Sequence, residues 1–122
     1  FETLNLFLTT QNRKLIHEKI RKRFLKMIEL GLVDEVIYVK KKYSLDRNSQ
    51  SLRAVGYKQI NEYLENEYSL KEAIYKSIVA TRQLAKRQFT WMNKFDFFEK
   101  NYIENADSKK NIYKKIENFI FI

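Results

Sequence analysis

The sequence has 122 residues, the length of one domain, and 44% of them are apolar, which is enough for a core. A formal net charge of +9 makes a polyanion the first kind of partner to consider. The absence of cysteine excludes disulfides and cysteine-type zinc sites, the single histidine excludes histidine-cluster metal sites, and two glycines with no proline argue against turn-dense β folds and glycine-rich phosphate loops.

No apolar run approaches the ~20 residues that a membrane-spanning helix needs. No basic segment followed by an apolar one opens the chain as a secretory signal would. We therefore expect a cytoplasmic protein without a membrane partner. The first residue is Phe1 and not a methionine, which predicts that the chain is a piece of a longer protein.

The first predicted element is a short strand at Leu4–Leu8, where strand-forming residues dominate. Its candidate partners are Phe95–Phe98 and Tyr102–Ile103, or a sheet outside this chain. A helix follows, capped by Thr10 or Asn12 and ended by Gly31. The apolar stripe of this helix consists of Ile16, Ile20, Phe24, Met27 and Ile28. A second helix carries Leu32, Val36, Val39 and Tyr43.

The second half of the chain begins with a polar loop at 44–51. A third helix is predicted at Tyr57–Leu64, and a fourth runs from the capping box Ser69–Glu72 to Met92. The segment Phe95–Ile103 is aromatic and predicted to be extended. A last helix, capped by Asp107 or Ser108, carries Ile112, Ile116, Phe119 and Ile120. These elements predict a mainly α fold of about five helices with one or two short strands.

Positive charge is concentrated in two blocks. Residues 76–94 contain five basic residues and no acidic one, and residues 1–53 contain twelve basic against six acidic. On a helical wheel of about 100° per residue, the fourth helix separates into a core face and a cationic face. The core face holds Ile74, Ile78, Thr81, Leu84, Ala85, Gln88 and Met92, and the cationic face holds Lys76, Arg82, Gln83, Lys86, Arg87 and Lys94. An ordinary solvated face mixes both signs, so we interpret this one as a surface for an anionic ligand.

The first helix carries a second basic cluster, which includes Arg23 at the edge of the packed face. Arginine offers a bidentate fork to phosphate, which makes Arg23 a candidate phosphate ligand. The other members are Arg21, Lys22 and Lys26, and the nearby Glu18 and Glu29 are close enough to neutralise part of the cluster.

Four other residues have both a functional and a structural interpretation. Gly56 either lets the backbone approach a ligand or is an ordinary turn glycine. Tyr57 and Trp91 can stack on nucleobases, although most aromatic residues of a chain this rich in them belong to the core. His17 lacks a visible acid or nucleophile partner and is interpreted as a boundary residue.

Three blocks of sequence, taken together, point to a family. The first is Asn12-Arg-Lys-Leu-Ile-His17 with Arg23-Phe24-Leu-Lys-Met27, and the second is Ser51-Leu-Arg-Ala-Val-Gly-Tyr-Lys-Gln59. The third, long and distinctive, is Ala80-Thr-Arg-Gln-Leu-Ala-Lys-Arg-Gln-Phe-Thr-Trp-Met92. In this order and spacing they resemble the C-terminal part of the tRNA dimethylallyltransferases, also called tRNA isopentenyltransferases. The resemblance divides the chain into a family-like region, 1–94, and a loosely matching tail, 95–122.

That family transfers a dimethylallyl group from dimethylallyl diphosphate to N6 of the adenosine next to the tRNA anticodon, with Mg²⁺. The resemblance implies that Arg53–Lys58 and Lys86–Asn93 contact the tRNA anticodon stem-loop and that Arg23 lies near the diphosphate. Together with the cationic face, the candidate tRNA-binding residues are Arg53, Gly56, Tyr57, Lys58, Arg82, Lys86, Arg87, Gln88, Thr90 and Trp91.

The family's phosphate-binding loop and catalytic aspartate have no counterpart in this sequence. We therefore expect a C-terminal fragment of an α/β P-loop-type transferase, with no catalytic residue and no metal ligand of its own, inactive without an N-terminal domain. Two alternatives stay open: a free-standing helical RNA- or DNA-binding module, and a helical domain whose basic face meets an acidic protein.

Overall fold

The computed structural model describes residues 2–121 and divides the chain into two compact units. The terminal unit consists of the two ends of the chain, up to Ile16 and from Lys86 onward, and the central unit is His17–Ala85. Within residues 2–121 there are five α helices and two short strands, so the mainly α fold with about five helices is confirmed.

The terminal unit contains a two-stranded parallel sheet. Strand β1, Leu6–Thr9, pairs with strand β2, Glu99–Tyr102, with Leu6 opposite Glu99 and Thr9 opposite Tyr102. Of the two predicted partner regions, the one at Tyr102 is therefore confirmed, and Phe95–Phe98 is wrong. The latter lies in the turn after the fourth helix, where its rings pack on one another.

The last helix, α5, spans Ser108–Ile120 and packs against β2. Asp107 occupies its N-cap position, as predicted, but its side chain forms no capping hydrogen bond. The reason is local: the Asp107 backbone is helical, at φ −87° and ψ −1°, whereas a capping side chain usually extends from a β-region backbone. Only the first half of the predicted apolar face is partly covered, since Phe119 and Ile120 are exposed.

Helix α1 spans Arg13–Glu29, and its beginning is held by side chains from both ends of the chain. Asn12 Oδ1 accepts the Leu15 N–H at 3.2 Å, which confirms Asn12 as the cap. Glu104 Oε1 accepts the N–H groups of Gln11 and Asn12 at 2.9 and 3.0 Å and the Thr10 hydroxyl. This hydrogen bond from Thr10 is the main cause that lowers the pKa of Glu104. A carboxylate therefore lies at the positive end of the helix dipole.

The central unit contains helices α2 (Leu32–Lys42) and α3 (Tyr57–Leu64) and a 3₁₀ helix at Gln50–Arg53. The predicted bounds of α3 are confirmed. Gly31 ends α1 in the left-handed region, at φ +99°, as predicted. Tyr43 was expected in the second helix but follows its end and is exposed. The core consists of Phe24, Leu32, Val36, Leu52, Ile60, Ala73 and Ile78.

A buried polar network joins α2 to α3. Asn61, only 3% exposed, accepts a hydrogen bond from the Lys40 ammonium and donates one to Glu65 at 3.2 Å. Lys40 and Glu65 form an ion pair at 3.5 Å. Each polar group that is withdrawn from water in this network thus has a partner.

Helix α4 spans Leu70–Met92 and begins where the Ser69 hydroxyl accepts the Glu72 N–H at 3.2 Å. Of the predicted core face, Ile78 is buried, but Leu84 and Gln88 are exposed, so the prediction is wrong at those two positions. The other two buried residues of the helix, Ala73 and Ser77, were not predicted. The cationic face also needs a correction. Glu72 lies one turn before Lys76 and pairs with it at 3.5 Å, so that cation is neutralised.

Candidate nucleic-acid interface

The predicted segment Arg53–Lys58 starts where the 3₁₀ helix buries Leu52 and leaves Arg53 exposed. Gly56 has φ +96° and ψ −59°, a conformation that side chains rarely adopt, and a Cβ atom there would lie 3.3 Å from Phe24 Cε2. The glycine is therefore required by a close approach inside the central unit. Arg23 and Phe24 are consecutive residues of the first helix. The contact with Phe24 therefore places the turn at Gly56 next to the part of that helix that carries Arg23.

One side chain fixes the start of α3, and its neighbour Lys58 faces solvent. Gln59 Oε1 accepts the Gly56 N–H at 2.8 Å in a buried position, closing the turn onto the helix. Lys58 stays exposed, and its ammonium lies 3.9 Å from Glu62, an i,i+4 surface pair like that of Lys76 with Glu72, so this cation is partly neutralised.

Tyr57 was interpreted as a surface on which a base could stack, but its ring is not fully open to solvent. Its ring is half-buried against the core, and its hydroxyl donates a hydrogen bond to Glu35. This hydrogen bond, with burial and the charge of Glu35 adding to it, raises the pKa of Tyr57 to about 12. The ring is thus held in one orientation from both ends.

The basic cluster on α1 lies on the surface of the helix. Arg21, Lys22, Arg23 and Lys26 are exposed, and within residues 2–121 none of them forms an ion pair within 4 Å. The expected neutralisation by Glu18 and Glu29 is not observed there. His17, predicted as a boundary residue, is exposed.

Arg82 is half-buried, and its Nε has no hydrogen-bond partner in the described part of the chain. A buried guanidinium nitrogen without a partner carries an uncompensated desolvation cost, and an incoming acceptor would relieve it. Arg82 belongs to the central unit, as do Arg23, Arg53, Gly56, Tyr57 and Lys58.

The end of α4 lies in the terminal unit and carries Lys86, Arg87, Gln88, Thr90 and Trp91. Phe89 turns inward, with its ring centroid 5.9 Å from that of Phe7. Lys86 and Arg87 are exposed and, unlike Lys76, have no ion pair among residues 2–121. The Thr90 hydroxyl donates to the Lys86 carbonyl at 2.9 Å, so its lone pairs remain open to a donor.

Trp91 is 57% exposed and meets Phe95 edge to face, with ring centroids 4.7 Å apart. Cations beside an exposed indole can hold phosphates and stack a base at the same time. The sequence predicted this tryptophan but not Phe97, which is 61% exposed in the same aromatic cluster. The overall abundance of aromatic residues concealed it. Glu104 was also missed, because the N–H groups that it accepts are more than 90 positions away.

Within residues 2–121, no three His, Cys, Asp or Glu side chains lie close enough together to hold a metal ion. The Mg²⁺ implied by the family resemblance thus has no matching ligand set among these residues, and we assign it no step. None of the described helices is both long and apolar enough to cross a membrane.

The family model described as IPP transferase matches residues 1–95. A tRNA dimethylallyltransferase from Nitrosomonas eutropha is 44% identical over 92 residues, which cover 75% of this chain and 29% of that protein. The tRNA dimethylallyltransferase 2 of Hahella chejuensis is 40% identical over 109 residues, which cover 89% of this chain and 32% of that protein. The chain thus spans roughly a third of the length of these relatives.

Two solved structures are similar over nearly the whole chain. The full-length tRNA isopentenylpyrophosphate transferase from Bacillus halodurans has a TM-score of 0.82 at 31% identity, over 96% of this chain and 37% of that one. The tRNA delta(2)-isopentenylpyrophosphate transferase from Staphylococcus epidermidis has a TM-score of 0.84 at 28% identity, over 97% of this chain and 38% of that one.

Proposed function

The chain belongs to the IPP transferase family, and from this premise we propose that it is the tRNA-contacting part of a tRNA dimethylallyltransferase. The reaction is transfer of a dimethylallyl group from dimethylallyl diphosphate to N6 of the adenosine beside the anticodon. The observation that carries the proposal is the end of α4, where Lys86 and Arg87 are exposed without an ion pair among residues 2–121 and Arg87 lies one turn before the exposed Trp91.

In this proposal the cations bind the RNA backbone and the tryptophan binds a base. Lys86 and Arg87 neutralise backbone phosphates, which gives affinity without sequence preference. Trp91 takes an unpaired base on its ring, which selects the open loop over the paired stem. Arg53 and Lys58 add phosphate contacts from the central unit.

Transfer of the prenyl group needs more than these residues supply. The diphosphate leaving group must be clamped and a base must accept the proton of the adenine amine. The sequence contains neither a phosphate loop nor a paired acid and base. We infer that the chain binds RNA without catalysing the transfer, and that the rest of the longer protein supplies both functions.

The test is binding of the 122-residue chain to an anticodon stem-loop with adenosines beside the anticodon, measured across a salt series. We expect a steep loss of affinity with salt, and a salt slope reduced by about 1 in Arg87→Ala. Trp91→Ala is expected to lose about 1–3 kcal/mol of binding free energy, the usual value of one base stack.

Matched controls come from α5, which the proposal leaves out. Lys109→Ala removes an exposed cation and Tyr113→Ala removes a ring as exposed as that of Trp91, at 57%. Neither should change affinity or slope. Salt-independent binding, or equal effects of the α4 and α5 variants, would refute the proposal. Prenyl transfer by the chain alone would contradict the inferred lack of catalysis.

A further inference from the structure

The end of α4 carries an aromatic cluster that continues beyond the helix. Phe95 is its hub, with its ring centroid 4.7 Å from Trp91, 5.1 Å from Phe97 and 6.0 Å from Phe98. Phe97 and Phe98 are themselves 4.7 Å apart. These separations and tilts are those of favourable aromatic pairs, so the rings support one another.

The cluster is anchored on one side and open on the other. Phe98 packs on Phe7, a residue of β1 that is only 6% exposed, and Phe95 is half-buried. Trp91 and Phe97, on either side of Phe95, are exposed by more than half. Two large rings thus stand in water beside half-buried ones, which is a costly arrangement unless something covers them.

The charges around the open side identify what would cover it. Arg87, one turn before Trp91 on α4, and Lys94, next to Phe95 in the chain, are exposed and have no ion pair among residues 2–121. Asp96 is the acidic residue between Phe95 and Phe97, so the rim keeps an excess of positive charge. An apolar protein partner would cover the rings but leave the cations without anions, whereas a nucleic-acid strand offers bases to the rings and phosphates to the cations.

We propose that Trp91, Phe95 and Phe97 form a stacking platform for unpaired bases of an RNA strand, with Phe97 as a base-contacting residue beyond Trp91. This rests on the proposed function and extends its contact surface into the tail, outside the segment that the family model matches. Phe95 serves as the spacer that holds the two exposed rings at a fixed separation.

The chain contains its own reporter, because Trp91 is the single tryptophan. A single-stranded adenine oligonucleotide, titrated into the 122-residue chain, is expected to quench its fluorescence as bases stack on the ring. Inorganic polyphosphate, a polyanion without bases, is expected to bind at low salt without this quenching.

Phe97→Ala is expected to weaken oligonucleotide binding about 5- to 100-fold, the range of one base–aromatic stack, and to leave polyphosphate binding unchanged. Phe97→Tyr keeps the ring and should bind like the unmodified chain. Phe97→Leu keeps apolar bulk but has no π face, so it should weaken binding as the alanine variant does while preserving the fold. Tyr113→Ala is the control for loss of an exposed ring elsewhere.

The outcomes separate the two proposals. Normal oligonucleotide affinity in Phe97→Leu, with stem-loop binding still sensitive to Arg87→Ala, would overturn the platform and leave the proposed function intact. Failure of the chain to bind any RNA would overturn both. Equal quenching by polyphosphate and oligonucleotide would also overturn the platform, because Trp91 would then respond to charge and not to bases.

Discussion

Substitution of Gly56 by alanine tests the close approach of the backbone at Gly56 to the Phe24 ring. Its φ of +96° costs a non-glycine residue about 1–3 kcal/mol, and the new Cβ would lie 3.3 Å from the Phe24 ring. Crowding in a packed core typically costs about 1–3 kcal/mol more. Alanine also lowers the conformational entropy of the unfolded chain, which offsets about 0.4–1 kcal/mol of this loss of stability. The net expectation is a loss of about 1–6 kcal/mol in the free energy of unfolding, centred near 3 kcal/mol.

Gly31 provides the matched control. It also has a positive φ, at +99°, but a Cβ there would lie 3.8 Å from its nearest neighbour, Asp34 Oδ2, which is ordinary contact. Gly31→Ala therefore meets only the left-handed penalty of about 1–2 kcal/mol, reduced by the same unfolded-state effect. We expect a net loss of about 1 kcal/mol or less.

The assay is urea unfolding followed by circular dichroism. With an m-value of about 1–3 kcal/mol/M for a protein of this size, Gly56→Ala should lower the midpoint by about 1 M or more. Phe24→Leu should partly rescue Gly56→Ala, because the shorter side chain relieves the contact, and should act additively with Gly31→Ala. Equal losses at the two glycines, with no rescue, would refute the argument that Phe24 sets the requirement for glycine.

The same unfolding assay tests two further expectations, and the salt series of RNA binding tests a third. Glu104→Gln should destabilise the protein most at neutral pH. Because folding lowers the pKa of Glu104, its ionised carboxylate stabilises the fold at every pH above the unfolded pKa. The difference in unfolding free energy between variant and parent should therefore disappear as the pH falls through the folded pKa. Asn61→Ala should cost about 1–3 kcal/mol, since it leaves the Lys40 ammonium short of an acceptor in the network between α2 and α3. Lys76→Ala should leave the salt slope of RNA binding nearly unchanged, because Glu72 already neutralises that cation; a slope change near 1 would contradict this.

Local patterns in the sequence were sufficient for most helices. The bounds of α3 follow from Gly56 before it and the apolar spacing within it, and α1 begins at Asn12 and stops at Gly31, as the capping preferences predict. Each of these signals acts within a few residues. The ends of these helices could therefore be predicted from the side chains next to them in the sequence.

The features that sequence reasoning missed depend on distant residues or on small ones. Glu104 reaches across more than 90 positions to the start of α1, and no local pattern marks it as a cap. Ser77 has no hydropathy signal, yet it is fully buried because its small side chain lets α4 approach the core. The pairing partner of β1 could be narrowed only to two regions, because a strand's own pattern does not identify its neighbour.

The candidate interface illustrates how one helix can serve packing and binding at once. In its first half α4 buries Ala73 and Ile78, and its exposed Lys76 is neutralised within the helix. In its last turns Lys86 and Arg87 have no ion pair within residues 2–121. Each opposite-charge pair stabilises a solvated helix face by a few tenths of a kcal/mol. The first half of α4 has such a pair between Lys76 and Glu72, whereas Lys86 and Arg87 in the last turns have none within residues 2–121. The contrast within a single helix is therefore better evidence for an anionic ligand at its end than the total charge of the chain.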